Sequence, residues 1–226
     1  ARAGRFELDA VVDIKHVPEA TSMDLTSHGL YLGSAVPCYR VYEDPGISAQ
    51  YPGIMDAATL IGGIQIQSRA SLGGNLCNAS PSADGICPLI VHNATASIIG
   101  PNGARTVAVE DFCIGPGKNA MDEQEFLVGI HIPLPAKYSG AAYQRFIPRN
   151  EMDIAIVGVA SSVQLNSKGD HIEAARQALA AVGPTPIVAE EAGRCLQGKS
   201  VTEKSLAEAA DLAAQAASPI IDMRGT

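Results

Sequence analysis

The segment from Ser71 to Asp84 has the highest density of residues that could bind a ligand. Two adjacent glycines, Gly73 and Gly74, follow a hydroxyl residue, and such a pattern frees backbone N–H groups to point at an anion. Ser71 and Asn75 add side-chain donors, and Asp84 adds an acceptor suited to a ribose or an adenine edge. The same residues could instead form a tight turn followed by an Asn-capped helix. Spacing alone favours an anion site only slightly.

The common catalytic and metal-binding signatures fail in the rest of the chain. Residues 115–119 resemble a phosphate loop, but Phe112 stands where its first Gly belongs and Asn119 replaces the final Ser or Thr. No G-x-G-x-x-G opens a helix after a predicted strand, and no nucleophile elbow is present. The five His are scattered, and the five Cys show no C-x-x-C spacing, which favours reduced thiols. We therefore expect no catalytic residue and no metal site on this chain.

Charge and composition narrow the classes of partner. The 226 residues contain 16 Lys and Arg against 24 Asp and Glu, a net charge of −8, which disfavours binding to a nucleic acid. No run of 18 apolar residues is present, so no membrane span is expected. The chain does not open with a signal-peptide pattern, and together with reduced thiols this predicts a cytoplasmic protein.

Periodicity and turn residues predict the elements that must position the polar segment. Strands are expected over 10–17, 30–33, 126–132, 143–147 and 154–165, a hairpin over 96–109, and helices over 52–61, 87–92, 187–196 and 206–217. Residues 172–182 fit either a helix or a strand. Residues 133–135 (Pro-Leu-Pro) are the best candidate for a domain boundary, which divides the chain into domains 1–135 and 136–226. The fold class expected is α+β.

The polar segment also resembles a known family motif. The run Ser71-Leu-Gly-Gly-Asn-Leu-x-Asn-Ala-Ser-Pro-x-Ala-Asp84 is similar to the second flavin motif of the FAD-binding subunit of molybdenum hydroxylases. This family includes the medium subunit of aerobic carbon monoxide dehydrogenase and the flavin domain of xanthine dehydrogenase. The resemblance extends in order through nearly all 226 residues, with Gln65-x-x-x-Arg69, Gly103-x-Arg105-x-Val107, Glu110-Asp111-Phe112, Tyr143-x-Arg145-x-x-x-Arg149, Asp153-x-Ala155 and Gly183-Pro184-Thr185-Pro186.

The resemblance implies a fold in two parts. An FAD-binding domain of the molybdopterin dehydrogenase type, with FAD extended between its two lobes, should precede a C-terminal domain of a three-stranded sheet with a small helical bundle. In the family, a Gly-rich loop binds the pyrophosphate, and this sequence contains no such loop. Residues 1–5 are similar to the family sequence that follows the loop. The first strand–helix–strand unit is thus expected to be absent from this sequence, and residues 222–226 end just short of the usual family terminus.

The resemblance also implies roles for individual residues. Asp84 matches a carboxylate on the adenosine half of FAD, and the backbone of Leu127 should lie by the adenine or flavin edge. Arg145 stands where Lys is common and would reach the isoalloxazine carbonyl side, although the guanidinium differs from an ammonium in shape. Ile61 should pack near the flavin. The motif residues expected to contact the phosphates and the ribityl chain are Ser71, Leu72, Gly73, Gly74 and Asn75.

The function implied is that of an oxidoreductase subunit. A large molybdenum-cofactor subunit would oxidise the substrate, a small subunit would carry two [2Fe-2S] clusters, and this chain would pass the electrons through FAD to an external acceptor. The expected assembly is a dimer of heterotrimers, with molybdopterin and iron–sulfur clusters on the partner subunits. An alternative stays open: a truncated or degenerate remnant that binds no flavin and acts only in docking or assembly.

Overall fold

The computed structural model describes residues 9–149 and 152–221. The terminal segments 1–5 and 222–226, which were compared with family members above, lie outside the described residues. The helices are α1 (Pro18–Thr21), α2 (Cys38–Glu43), α3 (Pro45–Gln50), α4 (Pro52–Leu60), α5 (Leu72–Asn78), α6 (Ile86–Val91), α7 (Val109–Phe112), α8 (Glu190–Leu196) and α9 (Glu203–Ala216). The strands are β1 (Met23–Thr26), β2 (Gly29–Gly33), β3 (Thr95–Gly100), β4 (Gly103–Ala108), β5 (Cys113–Gly115), β6 (Lys118–Asn119), β7 (Phe126–Pro133), β8 (Ser139–Phe146), β9 (Val157–Leu165), β10 (Ile172–Ala180) and β11 (Ile187–Val188).

The first part of the chain is built on a five-stranded antiparallel sheet in the order β1-β2-β7-β3-β4. The predicted strands at 30–33 and 126–132 are confirmed as β2 and β7, and the predicted hairpin is β3–β4. The hairpin turns through Pro101 and Asn102, and Gly103, which begins β4 and pairs with Gly100, has a φ of +105° that a side chain would oppose.

Helices α2 to α6 follow, and among them α5 lies against β7 of this sheet and α4 lies against β8 of the second sheet. The predicted helix 52–61 is confirmed as α4, which begins with Pro52 and is followed by Gly62 in the left-handed region. The predicted short buried helix is confirmed as α6, in which all six residues are buried. Helix α6 contacts strands β8, β9 and β10 of the second sheet, and it also contacts helices α4, α5 and α7.

The second sheet has the order β11-β10-β9-β8 and is antiparallel throughout. The ambiguous stretch 172–182 is a strand, β10, because pairing with β9 and β11 outweighs the helix propensity of its alanines. The three long strands fit the sheet implied by the family resemblance, and the two-residue β11 extends it by a fourth. Helices α8 and α9 pack together, and α8 lies against β10.

Two of the predicted elements differ from the structure. The expected strand over 10–17 is wrong: residues 14–16 form a 3-10 helix capped by Asp13, and Val11 and Val12 are 82% and 80% exposed, without a sheet to cover them. The expected helix over 187–196 begins only at Glu190, because Ile187 and Val188 pair with β10. Alternating apolar residues at 10–17 indicated a strand, but a strand also needs a partner.

One hydrophobic cluster extends across both sheets. It contains Leu30 and Ile130 of the first sheet, Leu89 of α6, and Tyr143 and Ala160 of the second sheet. A smaller cluster lies where β10 meets α8 and α9. The hydrophobic core therefore continues past the Pro-Leu-Pro segment at 133–135, and the division into domains 1–135 and 136–226 stays a prediction.

Candidate functional site

The glycine-containing motif forms the first turn of α5. Ser71 is the N-cap residue, and its Oγ accepts a hydrogen bond from the Gly74 N–H at 3.0 Å. Gly73 lies against the backbone of Ser34, since an added β-carbon would come within 2.4 Å of the Ser34 carbonyl oxygen. Gly74 is exposed at the surface of the helix start. The helix thus begins inside the motif, with Ser71 rather than an Asn as its cap, and Gly73 is required by packing.

Three of the predicted site residues meet at Gly85, which follows Asp84. The Asn75 Oδ1 accepts a hydrogen bond from the Gly85 N–H at 2.9 Å. A β-carbon added at Gly85 would lie 2.7 Å from Leu72 Cδ2, 2.8 Å from Asn75 Oδ1 and 3.3 Å from Ile61 Cδ1. The absence of a side chain here therefore lets α5, the end of α4 and the start of α6 come together.

Asp84 joins this cluster to strand β8 of the second sheet. Its Oδ2 accepts a hydrogen bond from Arg145 Nη1 at 2.7 Å, and its Oδ1 accepts one from the Tyr143 hydroxyl at 2.9 Å. Tyr143 and Arg145 are two positions apart on the strand, so they share one face of the sheet. Both carboxylate oxygens of Asp84 are therefore held by donors from β8.

Burial shifts the pKa values of both Asp84 and Tyr143. Asp84 is only 8% exposed, and burial raises its pKa, while the Arg145 charge and the hydrogen bonds from Tyr143 and Arg145 offset part of that increase. Burial, followed by the neighbouring Asp84 charge, raises the pKa of Tyr143 well above its ordinary value. Tyr143 thus stays protonated and donates, and Asp84 is the acceptor.

Two buried polar atoms next to these residues have no hydrogen-bond partner within the described residues. They are the Oγ of Ser34, whose backbone lies against Gly73, and the Nε of Arg145, whose Nη1 binds Asp84. A buried donor without a partner costs free energy, and an acceptor from outside the chain would remove that cost. Phosphate and carbonyl oxygens are acceptors of this kind, and the residues present therefore fit a dinucleotide such as FAD.

Leu127 lies apart from this cluster, in the middle of the first sheet. It is buried in β7 and pairs with Ile98 of β3. The next residue connects this strand to the motif. The Val128 carbonyl accepts a hydrogen bond from Ser34 N at 2.9 Å, and the backbone of Ser34 lies against Gly73. Leu127 thus belongs to the support beneath the start of α5.

Two residues with roles implied by the resemblance are paired in the structure. Asp84 was expected on the adenosine half of FAD and Arg145 on the isoalloxazine side, yet their side chains are joined at 2.7 Å. An extended dinucleotide keeps its adenine and its isoalloxazine far apart, so this direct contact favours placing both side chains at one end of it. The two roles stay predictions.

Sequence reasoning missed two residues of this site. Tyr143 was noted only as part of the family resemblance, although its spacing of two from Arg145 on a predicted strand places both on one face. Ser34 follows β2 and carries no local signal, because its closeness to Gly73 depends on how α5 packs on the sheet.

The remaining candidates for chemistry have structural explanations. The phosphate-loop-like segment forms the β5–β6 hairpin, with Gly117 at a φ of +67° in its turn. All five Cys are free thiols, and burial raises the pKa of both Cys77 and Cys113 to about 11, which makes them poor nucleophiles. Over residues 9–149 and 152–221, no group of three His, Cys, Asp or Glu could hold a metal ion. No helix in those ranges is long and apolar enough to cross a bilayer.

The fold is that of an FAD-binding flavoprotein domain, and the family comparison agrees. Residues 1–135 match the family described as the FAD binding domain in molybdopterin dehydrogenase, and residues 141–226 match the CO dehydrogenase flavoprotein C-terminal domain. The chain therefore belongs to the FAD-binding subunits of the molybdenum hydroxylase family, and it is an oxidoreductase subunit. The recognition and fold class predicted from the sequence are thereby confirmed.

Individual relatives span most of the chain. A putative xanthine dehydrogenase FAD-binding subunit of Escherichia coli K12 is 34% identical over 87% of this chain and 67% of its own length. The carbon monoxide dehydrogenase medium chain of Hydrogenophaga pseudoflava is 30% identical over 95% of this chain and 74% of its own.

Solved structures give the same family. A Hydrogenophaga pseudoflava carbon monoxide dehydrogenase that lacks the Mo-pyranopterin moiety of its cofactor superposes with a TM-score of 0.89 at 30% identity, over 95% of this chain and 74% of that one. Quinoline 2-oxidoreductase from Pseudomonas putida 86 superposes with a TM-score of 0.86 at 28% identity, over 95% and 73% of the two chains.

Proposed function

We propose that this chain is the electron-transfer subunit of a molybdenum hydroxylase complex. It would bind FAD, receive electrons from [2Fe-2S] clusters on a partner subunit and pass them to an external acceptor. The observation that carries the proposal is the joining of the Gly73-Gly74 helix start and the Asp84–Arg145 pair in one site with two buried polar atoms left without partners. Bound FAD supplies the redox chemistry, so the chain needs no acid or base for a substrate.

The chain's own residues would bind and orient the dinucleotide. The start of α5, with Ser71 as cap and Gly74 exposed, would face the phosphates and the ribityl chain, and Leu72, Gly73 and Asn75 would hold that turn in place. Leu127 would support this turn from below, through the hydrogen bond of the next residue to Ser34.

We assign Asp84 to the isoalloxazine half together with Arg145. Ile61, expected near the flavin, contacts the residue next to Asp84, and the Arg145 guanidinium is bonded to the Asp84 carboxylate. Three groups thus meet at one end of the site, two of which were independently expected at the flavin. The Arg145 cation would stabilise negative charge that develops on the ring system when it is reduced.

The partners in this proposal are a large molybdenum-cofactor subunit and a small [2Fe-2S] subunit, assembled as a dimer of heterotrimers in the cytoplasm. Support comes from the family membership and from the likeness to the carbon monoxide dehydrogenase medium chain. Molybdopterin and the iron–sulfur clusters would stay on the partner subunits. Co-purification of the chain with both partner subunits tests the assembly. Reduction of the flavin through the small subunit, without added dithionite, tests the electron path.

FAD binding is tested by titrating the purified chain and following the visible flavin spectrum. Arg145→Gln should weaken binding by at least about tenfold, because it removes a charge-assisted contact and leaves Asp84 without its cation. Arg176→Gln is the matched control, since Arg176 also pairs with a carboxylate, that of Glu110, at a site away from the motif. We expect the control to bind FAD as the unaltered chain does.

The same titration separates the proposal from its alternative. A chain that binds no FAD at any accessible concentration, while still joining its partner subunits, would act only in docking or assembly. Equal FAD affinity in Arg145→Gln and the unaltered chain would contradict the assignment of Arg145 to the site.

A further inference from the structure

Tyr143 is a buried residue of the site to which no role has been given. Its side chain is 3% exposed, and its hydroxyl donates to Asp84 Oδ1 at 2.9 Å. Its backbone N–H donates to Asp56 Oδ2 at 3.0 Å, which ties this point of β8 to helix α4. A β-carbon added at Gly158 would lie 2.4 Å from the Tyr143 Oη. The glycine on the paired strand β9 therefore leaves room for the hydroxyl, and the phenol is closely confined.

The Tyr143 hydroxyl affects the orientation of Arg145, because both side chains bind the carboxylate of Asp84. Asp84 has two oxygens, of which Oδ1 is held by Tyr143 and Oδ2 by Arg145 Nη1 at 2.7 Å. The guanidinium is planar and rigid, so fixing Nη1 also fixes the direction of the Nε–H bond. That Nε is buried and has no partner among the described residues. The orientation of this buried donor thus depends on where the Asp84 carboxylate is held.

We propose that Tyr143 is a positioning residue for the flavin. By holding Asp84 Oδ1, it keeps the carboxylate in the plane that directs Arg145 Nε–H toward an acceptor atom of the isoalloxazine ring. Tyr143 itself does not touch the flavin and acts through Asp84. This inference rests on the proposed function, since it requires that FAD binds next to Arg145.

The test replaces the hydroxyl and keeps the ring. Tyr143→Phe is compared with Tyr51→Phe, which removes another buried phenol hydroxyl, one that donates to the Ile132 carbonyl in the first sheet. Three properties are measured on each full chain: the Kd for FAD, the midpoint potential of the bound flavin, and the thermal midpoint. A structural role alone would change the thermal midpoint and leave the other two unchanged.

We expect Tyr143→Phe to weaken FAD binding by about tenfold and to shift the flavin potential, since a hydrogen bond to a charged group is lost. Tyr51→Phe should change neither. On an Asp84→Asn background, adding Tyr143→Phe should have little further effect, because both changes act through the same carboxylate. Unchanged affinity and potential in Tyr143→Phe, with FAD bound normally by the unaltered chain, would overturn the positioning role alone.

A second readout does not need the cofactor. In the flavin-free chain, the Arg145 Nε–H resonance should be observable by NMR, because the group is buried, and it should move in Tyr143→Phe but not in Tyr51→Phe. An unmoved resonance would overturn the inference. Failure of the unaltered chain to bind FAD would overturn the proposed function as well, so the two failures are distinguishable.

Discussion

At the scale of single residues, His92 shows how burial alone changes a side chain's chemistry. Its ring packs edge-on against Tyr51 with centroids 5.5 Å apart, and its buried Nε2 has no hydrogen-bond partner in the described part of the chain. Burial lowers the pKa of His92 to about 4, from an ordinary value of 6.5. The imidazole is therefore neutral in the folded protein, and protonation must work against folding.

The pH dependence of stability should reveal His92. The pKa of His92 is lower in the folded chain than in the unfolded chain. The stability that depends on a neutral His92 is therefore fully present above pH 6.5 and is lost as the pH falls toward about 4. The loss should be on the order of 3 kcal/mol in the free energy of unfolding. Urea unfolding at several pH values should show a flatter profile for His92→Gln. The exposed His28, changed to Gln, is the control, and an equal flattening there would contradict the assignment.

At the scale of elements, helix α5 begins with two glycines, Gly73 and Gly74, that differ in how closely they are packed. A β-carbon at Gly73 would meet the Ser34 carbonyl oxygen at 2.4 Å and the Ser34 Cα at 2.5 Å. At Gly74 the nearest atom would be Ser71 Oγ, at 3.1 Å, and the position is exposed. Backbone atoms cannot move as easily as a side chain, so the first glycine is fixed by packing and the second is not.

Alanine substitutions at Gly73 and Gly74 should therefore have different effects on stability. Gly73→Ala should destabilise the chain by about 1–3 kcal/mol, because α5 must shift away from Ser34. Gly74→Ala should change the free energy of unfolding by less than about 1 kcal/mol, since alanine favours a helix where space allows. Chemical unfolding of both variants checks this prediction. Equal destabilisation by the two would argue against close packing as the reason for Gly73.

At the scale of the whole molecule, the two sheets share more than a linker. Besides the common core, Ser162 Oγ donates to the Val91 carbonyl at 3.0 Å, and Ala181 N donates to the Pro81 carbonyl at 2.7 Å. Arg176 pairs with Glu110 and donates to Asn93 Oδ1, which connects β10 to the first part of the chain. Neither sheet would retain a complete hydrophobic core without the other.

We therefore expect one cooperative unfolding transition for the whole chain. Far-UV circular dichroism and tyrosine fluorescence should give coincident curves, and the calorimetric and van't Hoff enthalpies should agree. Arg176→Gln should lower the midpoint without splitting the transition. Two separate transitions would instead show that the segments before and after residue 135 fold independently.

Much of the local structure could be predicted from the sequence. Proline and glycine marked the limits of α4, the Asn102-Gly103 pair marked the β3–β4 hairpin, and the Ser71 motif was singled out by residue types alone. These features depend on neighbours within a few residues, so the backbone preferences of Gly, Pro and Asn determine them. The family resemblance also rests on such short motifs, which is why it was visible in the sequence.

Tertiary structure decided the features that depend on distant residues. Residues 172–180 became a strand because β9 and β11 flank them, and residues 10–17 did not, because no sheet edge receives them. Asp84 meets Tyr143 across 59 positions of the chain, and Gly73 meets Ser34 through the packing of α5 on the sheet. A hydrogen bond or a close contact between such residues depends on where whole elements lie, and local residue preferences do not determine that.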